Sequence, residues 1–299
     1  MADISSADRD SNRLHSYSLN RPFTLIIILF ILAYIIKIFD SFIFRIDELV
    51  GEAILTKSLG FLLVAGYLWA SGNRLRDIGF HKRFVGKALI LTGVSFSMIY
   101  VAAFVGQLIA FQSVGEAARL TLTAVDPKTG MSGGFLFALW MVFTNLINSA
   151  MEEGLFRGLM IRHLMIKTSA WGAILISTGL FAIWHLSWPI RNYLDGASTL
   201  GEAGFEAVGL LIATSIAGIV YGYLYLKTDN LWAPFLGHVI NNTVLNMLYF
   251  KTGTGLQAPT SLGIFLPIFL LGYLALLPVF KIYSKRNNLP ETSPWGEAG

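Results

Sequence analysis

The residues of this chain with the most chemical capacity are Glu152, Glu153, Arg157, His185, His238 and Asn242. They stand on three runs that are otherwise apolar. An ionisable residue at mid-bilayer costs at least ~2.5–3.5 kcal/mol on insertion scales, so its presence in such a run is a functional hypothesis by default. The first run reads FLFALWMVFTNLINSAMEEGLFRGLMIRH. At 100° per residue Asn145, Asn148 and Glu152 fall within about 60° of one another with Ser149 alongside, a polar stripe on a Phe, Leu and Met helix. Glu153 points elsewhere and precedes Arg157 by four residues, the favourable order for an ion pair along a helix. Glu153 can therefore serve a salt bridge alone, whereas Glu152 has no basic residue at i+3 or i+4.

The second run, WGAILISTGLFAIWHL, carries Phe181 one turn before His185. A lone His on an apolar face can be a satisfied core residue. Here it closes an antiparallel hairpin with the first run, turning near Thr168. Glu152 lies 16 positions before that turn and His185 17 after it, about 24–26 Å along each helix at 1.5 Å per residue. The carboxylate and the imidazole are thus expected at one depth. The third run, LWAPFLGHVINNTVLNML, places His238, Asn242 and Asn246 at i, i+4 and i+8 on one face, with Asn241 off it. Such a stripe can also hold helices together by hydrogen bonds worth ~0.6–2 kcal/mol each.

Two carboxylates, two imidazoles and an amide in a membrane cavity suit water activation and oxyanion stabilisation. A buried Glu is a competent general base. His and Asn one turn apart can both donate to the oxygen of a tetrahedral intermediate. Glu152, His185 and His238 with an open position would also make a catalytic zinc set. Against a metal stand the missing H-E-x-x-H helix and the poor quality of Asn as a zinc ligand. A metal-free mechanism is equally open. Serine catalysis has no G-x-S-x-G elbow to rest on, and with no Cys there is no thiolate, disulfide or iron–sulfur chemistry.

The elements that must position these residues follow from composition. Of 299 residues 55% are hydrophobic and 13% charged, against roughly 25% charged in ordinary soluble domains. A water-soluble globular enzyme is excluded. With about twenty helical residues needed to cross hydrocarbon, eight spans are expected, over 23–44, 53–71, 86–111, 132–163, 170–187, 205–227, 231–250 and 261–283. The fold class is an all-α polytopic membrane protein with its active site inside the helical bundle. Residues 1–22 and 284–299 read as polar cytosolic tails around a single transmembrane domain over 23–283. With the N-terminus inside, fifteen Lys and Arg fall in cytoplasmic segments and five on the other side, Lys37 and Lys57 lying within or beside spans. Both termini are therefore expected in the cytosol. The net charge of +4 sits between spans, and no nucleic-acid partner is implied.

Glu152-Glu153-x-x-x-Arg157, Phe181-x-x-x-His185 and His238-x-x-x-Asn242 resemble, in order and on three separate spans, the three motifs of the CPBP family. This is the type II CAAX prenyl protease and bacteriocin-processing group that includes the Ras-converting endopeptidase. Asn73-Arg74-Leu75-Arg76-Asp77-Ile78-Gly79-Phe80 is similar to the basic stretch that often precedes its core, here about 132–250. The resemblance implies an eight-helix intramembrane endopeptidase of the cell membrane that cuts membrane-associated or prenylated peptides near the bilayer surface. Glu152 and His185 would activate water, His238 and Asn242 would form the oxyanion hole, and Glu153 and Arg157 would support them. Phe181 and Asn148 complete the expected site. The resemblance leaves open a divalent metal such as zinc. The main rival is a proton-coupled transporter or an immunity-type membrane binding protein using the same buried Glu and His. A scaffold with an intact but unused site is the third reading.

Overall fold

In hydrocarbon a chain can satisfy its own amides and carbonyls by forming helices, and helices occupy every expected run in the computed structural model, which describes residues 12–126 and 128–297. After a short α1 (Arg13–Asn20) come α2 (Pro22–Phe44), α3 (Ile46–Val50), α4 (Ile54–Ala70) and α5 (Val85–Ser113). They are followed by α6 (Phe135–Leu164), α7 (Ala170–Leu194), α8 (Leu200–Thr228), α9 (Trp232–Met247) and α10 (Phe265–Arg286). Six of them, α2, α5, α6, α7, α8 and α10, are long and apolar enough to cross a membrane. The other two expected spans, α4 and α9, have 17 and 16 residues, about 24–26 Å of helix. The protein is an all-α polytopic integral membrane protein. Exposed Ile27, Ile31 and Ile35 on α2 and Ile90, Val94, Met98 and Val101 on α5 form stripes with helical spacing that face lipid.

Three features depart from uninterrupted helices. α6 is α-helical to Glu152 and then π-helical from Glu153 to Ile161. α7 breaks after Trp184, turns at His185 and Leu186, and resumes at Ser187. Short strands form a small cap at one end, where β1 (Arg119–Leu122) pairs antiparallel with β4 (Leu248–Thr252) and β4 with β5 (Gly255–Gln257). Beside them β2 (Ala124–Val125) pairs with β3 (Ser132–Gly133).

The described parts of the expected tails are packed rather than free. α1 caps its first turn with Asn12 and buries His15. Trp295 is buried against His163, the rings stacked 4.4 Å apart, and the backbone of Thr292 and Trp295 bonds to Leu226 and Arg162. An indole provides enough apolar area to hold an otherwise polar segment down. Residues 1–11 and 298–299 of those tails, and Pro127, lie outside the described residues. At the centre α6 is enclosed by α4, α7 and α9, while α5, α8 and α10 complete the bundle behind α9.

Candidate active site

Helix register brings the three motifs together. Arg162 on α6 pairs with Asp229 at the start of the α8–α9 turn, and Tyr225 accepts from Arg162 Nε at 2.6 Å. Glu153 precedes Arg162 by nine positions and His238 follows Asp229 by nine. Two antiparallel segments fixed at that pair therefore carry Glu153 and His238 at one depth. This is why His238 Nδ1 donates to Glu153 Oε1 at 2.8 Å, a coincidence of level that span lengths alone do not reveal.

The imidazole of His238 stands between both carboxylates. Its Nε2 lies 3.5 Å from Glu152 Oε2, and its ring is stacked on Tyr221, 5.5 Å between centroids. Arg157 Nη1 donates to the same Glu153 oxygen at 3.2 Å, so the i, i+4 ion pair forms within the π segment. The guanidinium lies 4.2 Å from the Phe181 ring and 5.4 Å from the Tyr221 ring, flat apolar contacts that suit a weakly hydrated cation. Glu153, with no exposure at all, is thus more than one half of a helix salt bridge. It orients His238.

Glu152 is held differently. Its Oε1 accepts from the indole Nε1 of Trp184 at 2.9 Å, while Oε2 has no hydrogen-bond partner among the described residues. The group that α7 brings to this carboxylate is therefore Trp184, a residue whose place in an apolar run carried no signal of its own. The two residues expected at one depth form no hydrogen bond to each other. His185 occupies the turn that follows, and its Nδ1 donates to the Phe181 carbonyl at 2.8 Å, which leaves Nε2 as an acceptor. Phe181 packs edge-on against His185, 4.7 Å between centroids, and perpendicular to His238 at 6.3 Å.

The π segment shapes this layout. Each π turn leaves a carbonyl out of the α ladder, and Ser177 on α7 donates to the Phe156 carbonyl at 2.6 Å. Gly158 lets Ile78 and Leu231 approach to where a Cβ would meet them at 3.0 and 3.1 Å. The 100° wheel that orders Asn145, Ser149 and Glu152 ends at Glu152, and the residues beyond it turn at a different rate. Asn145 and Ser149 are buried on the stripe, each with an unpartnered polar atom. Asn148 is half-buried and its side chain makes no hydrogen bond among the described residues.

One turn beyond His238, Asn242 Oδ1 accepts from Asn241 Nδ2 at 2.9 Å. Asn241 is in turn fixed by the Tyr100 hydroxyl, which donates to its Oδ1 at 2.6 Å. With its oxygen engaged, Asn242 has its Nδ2 hydrogens to offer. Sequence periodicity turned Asn241 away from the site, and it is indeed directed to α5, but from there it sets the amide of Asn242.

The metal set open from the sequence, Glu152 with His185 and His238, does not fit as placed. Among the described residues no three His, Asp or Glu side chains converge on a point where they could hold an ion. His238 gives Nδ1 to Glu153, and Oε2 of Glu152, Oε2 of Glu153 and Nε2 of His185 have no hydrogen-bond partner among the described residues. What the site does hold is the Glu152 carboxylate 3.5 Å from the His238 imidazole, the His185 ring in the turn after Trp184, and His238 and Asn242 one helical turn apart on the facing helix.

Residues 134–244 match the model of a family described as Type II CAAX prenyl endopeptidase Rce1-like. No curated protein and no solved structure matches the chain.

Proposed function

We propose that this chain, which belongs through residues 134–244 to the Rce1-like family of type II CAAX prenyl endopeptidases, hydrolyses its peptide substrate with a glutamate-activated water. The observation that carries the reading is the pair of unequal carboxylates around His238. Glu153 takes Arg157 and His238 on Oε1, whereas Glu152 has no basic group on its Oε1 and accepts there from the Trp184 indole; Oε2 of each is without a hydrogen-bond partner among the described residues of this lipid-embedded bundle. Glu152 Oε2 takes a proton from water as it adds to the scissile carbonyl and later gives it to the departing amine. His185 Nε2 orients the same water. The negative oxygen of the tetrahedral intermediate is met by the His238 imidazole and by Asn242 Nδ2–H.

The substrate is a membrane-associated peptide, of CAAX type or another lipid-anchored sequence, reached from the bilayer and its surface. The end of the bundle that holds residues 71–84, 165–169 and 229–231 faces the cytosol, supported by the fifteen-to-five distribution of Lys and Arg. Both termini lie on that side of the cell membrane.

A survey of new protein N-termini in membranes expressing wild type or Glu152→Ala assumes no substrate. Termini that appear with the wild type and vanish in the variant are expected, and their sequences define the cleavage site. Identical sets from both, at matched expression, would overturn the reading and make proton flux through the same residues the next measurement.

A further inference from the structure

Lys37 lies in the last third of the first long apolar helix, nearly a hundred positions before the matched segment begins, and is 6% exposed. Its Nζ donates to the carbonyl of Trp184 at 2.6 Å, and the same ammonium stands 4.3 Å from the centre of the Trp184 ring. That carbonyl belongs to the last residue of the first part of α7, where carbonyls lose their helical partners and a cation is favoured. One side chain therefore caps the helix and grips the indole. Tyr34 and Phe156 pack around the indole at 5.9 Å each. The indole N–H ends on Glu152 Oε1, and the residue that follows the capped carbonyl is His185.

We propose that Lys37 is a positioning residue that completes the site from outside the family-matched segment. By fixing where the first part of α7 ends and how the Trp184 ring lies, it sets both the donor that holds Glu152 and the turn that presents His185. The proposal rests on the endopeptidase reading above. A lysine serving only as a counter-ion needs no contact with a carbonyl. Here hydrogen bond and ring contact fall on one residue, and that residue is the one that holds the proposed base. Through this link the matched segment depends on α2 for its geometry.

Two measurements test it. In the first, purified wild type, Lys37→Met, Lys37→Arg, Trp184→Phe and the double variant Lys37→Met/Trp184→Phe are given a fluorogenic peptide ending in a farnesylated Cys and three further residues. Removing a group behind a functional residue typically costs about 10–100-fold in activity. The expected result is that loss in kcat for Lys37→Met and for Trp184→Phe with KM within about twofold. Lys37→Arg should restore most of the rate, and the double variant should be no worse than the worse single, as for residues that act as a unit. Wild-type kcat in both single variants, or losses that simply multiply, would overturn the proposal.

The second measurement needs no turnover. In protein labelled with 5-fluorotryptophan, the fluorine line of Trp184, identified by its loss in Trp184→Phe, is expected to move in both Lys37→Met and Glu152→Gln. A line unmoved by Lys37→Met would refute the clamp. If wild type leaves the peptide uncut, the substrate reading falls on that probe and the fluorine line alone decides on Lys37.

Discussion

At the residue scale, equal chemistry is made unequal by neighbours. Glu152 and Glu153 are adjacent carboxylates, yet Oε1 of Glu153 takes an arginine and an imidazole while Oε1 of Glu152 takes an indole. Asn241 and Asn242 are adjacent amides, and a tyrosine spends the first so that the second can donate. Asn242→Ala is therefore expected to lower turnover by about 10²-fold or more, as loss of an oxyanion donor does elsewhere, with the melting temperature in detergent little changed. An unchanged rate would reduce Asn242 to a link between helices. The types and order of these residues were legible in the sequence because charge and amide groups in apolar runs stand out. Trp184 and Lys37 were not, since an indole in an apolar run resembles core. A lysine within a span can also be read as snorkelling toward the surface.

At the element scale, periodicity located the helices within a few residues but not their irregularities. The π segment Glu153–Ile161 has no apolar signature of its own, because its residues are buried on all sides and display no stripe. The break at His185 and Leu186 sits inside a continuous hydrophobic sequence. The strands of two to five residues are shorter than any repeat that alternation could reveal. What sets helix positions near the site is close packing of small residues. A Cβ on Gly237 would come within 2.9 Å of the Phe96 ring. Phe96 stacks on Tyr221 at 5.8 Å, and Tyr221 stacks on His238. Gly237→Ala must therefore shift the ring column that supports the imidazole. It is expected to destabilise the protein by about 1–3 kcal/mol, the usual cost of overpacking, and to lower cleavage as well. Gly93→Ala on α5, where an added Cβ meets nothing within 4 Å, is the control and should do neither. Equal melting temperatures and rates for the two variants would show that the column yields freely.

At the scale of the whole molecule, the bundle is closed at both ends by charged clusters, and each makes a separate prediction. At the basic end Arg162 joins α6 to Asp229 and to the carbonyl of Ser293 in the C-terminal segment. If that end faces the cytosol, a single Cys at Lys82 should react with a membrane-impermeant reagent only in inverted vesicles, and one at Lys128 only in right-side-out cells. The chain has no native Cys to obscure this, and the opposite pattern would invert the topology.

At the other end Arg45 binds Asp195 and Glu48, and Arg191 binds Asp47 and Glu48, tying the loop after α2 to the end of α7. Hydrogen bonds from Arg45 hold the Glu48 and Asp195 carboxyls below their usual range. Folded protein thus binds protons there less readily than unfolded protein does. The resulting stabilisation is complete above the ordinary carboxylate pKa and fades as pH falls through the lower folded values. Burial pushes Asp47 the other way, ahead of the attraction of Arg191, so its protonation in acid offsets part of the loss. Arg45 is over a third exposed, which makes the effect one of slope more than of size. Arg45→Met should melt lower than wild type at pH 7 and lose less as pH is lowered from 5 to 3, so that the two curves draw together toward the acid end. Parallel curves across that range would mean that the cluster follows the fold of this end without helping to hold it.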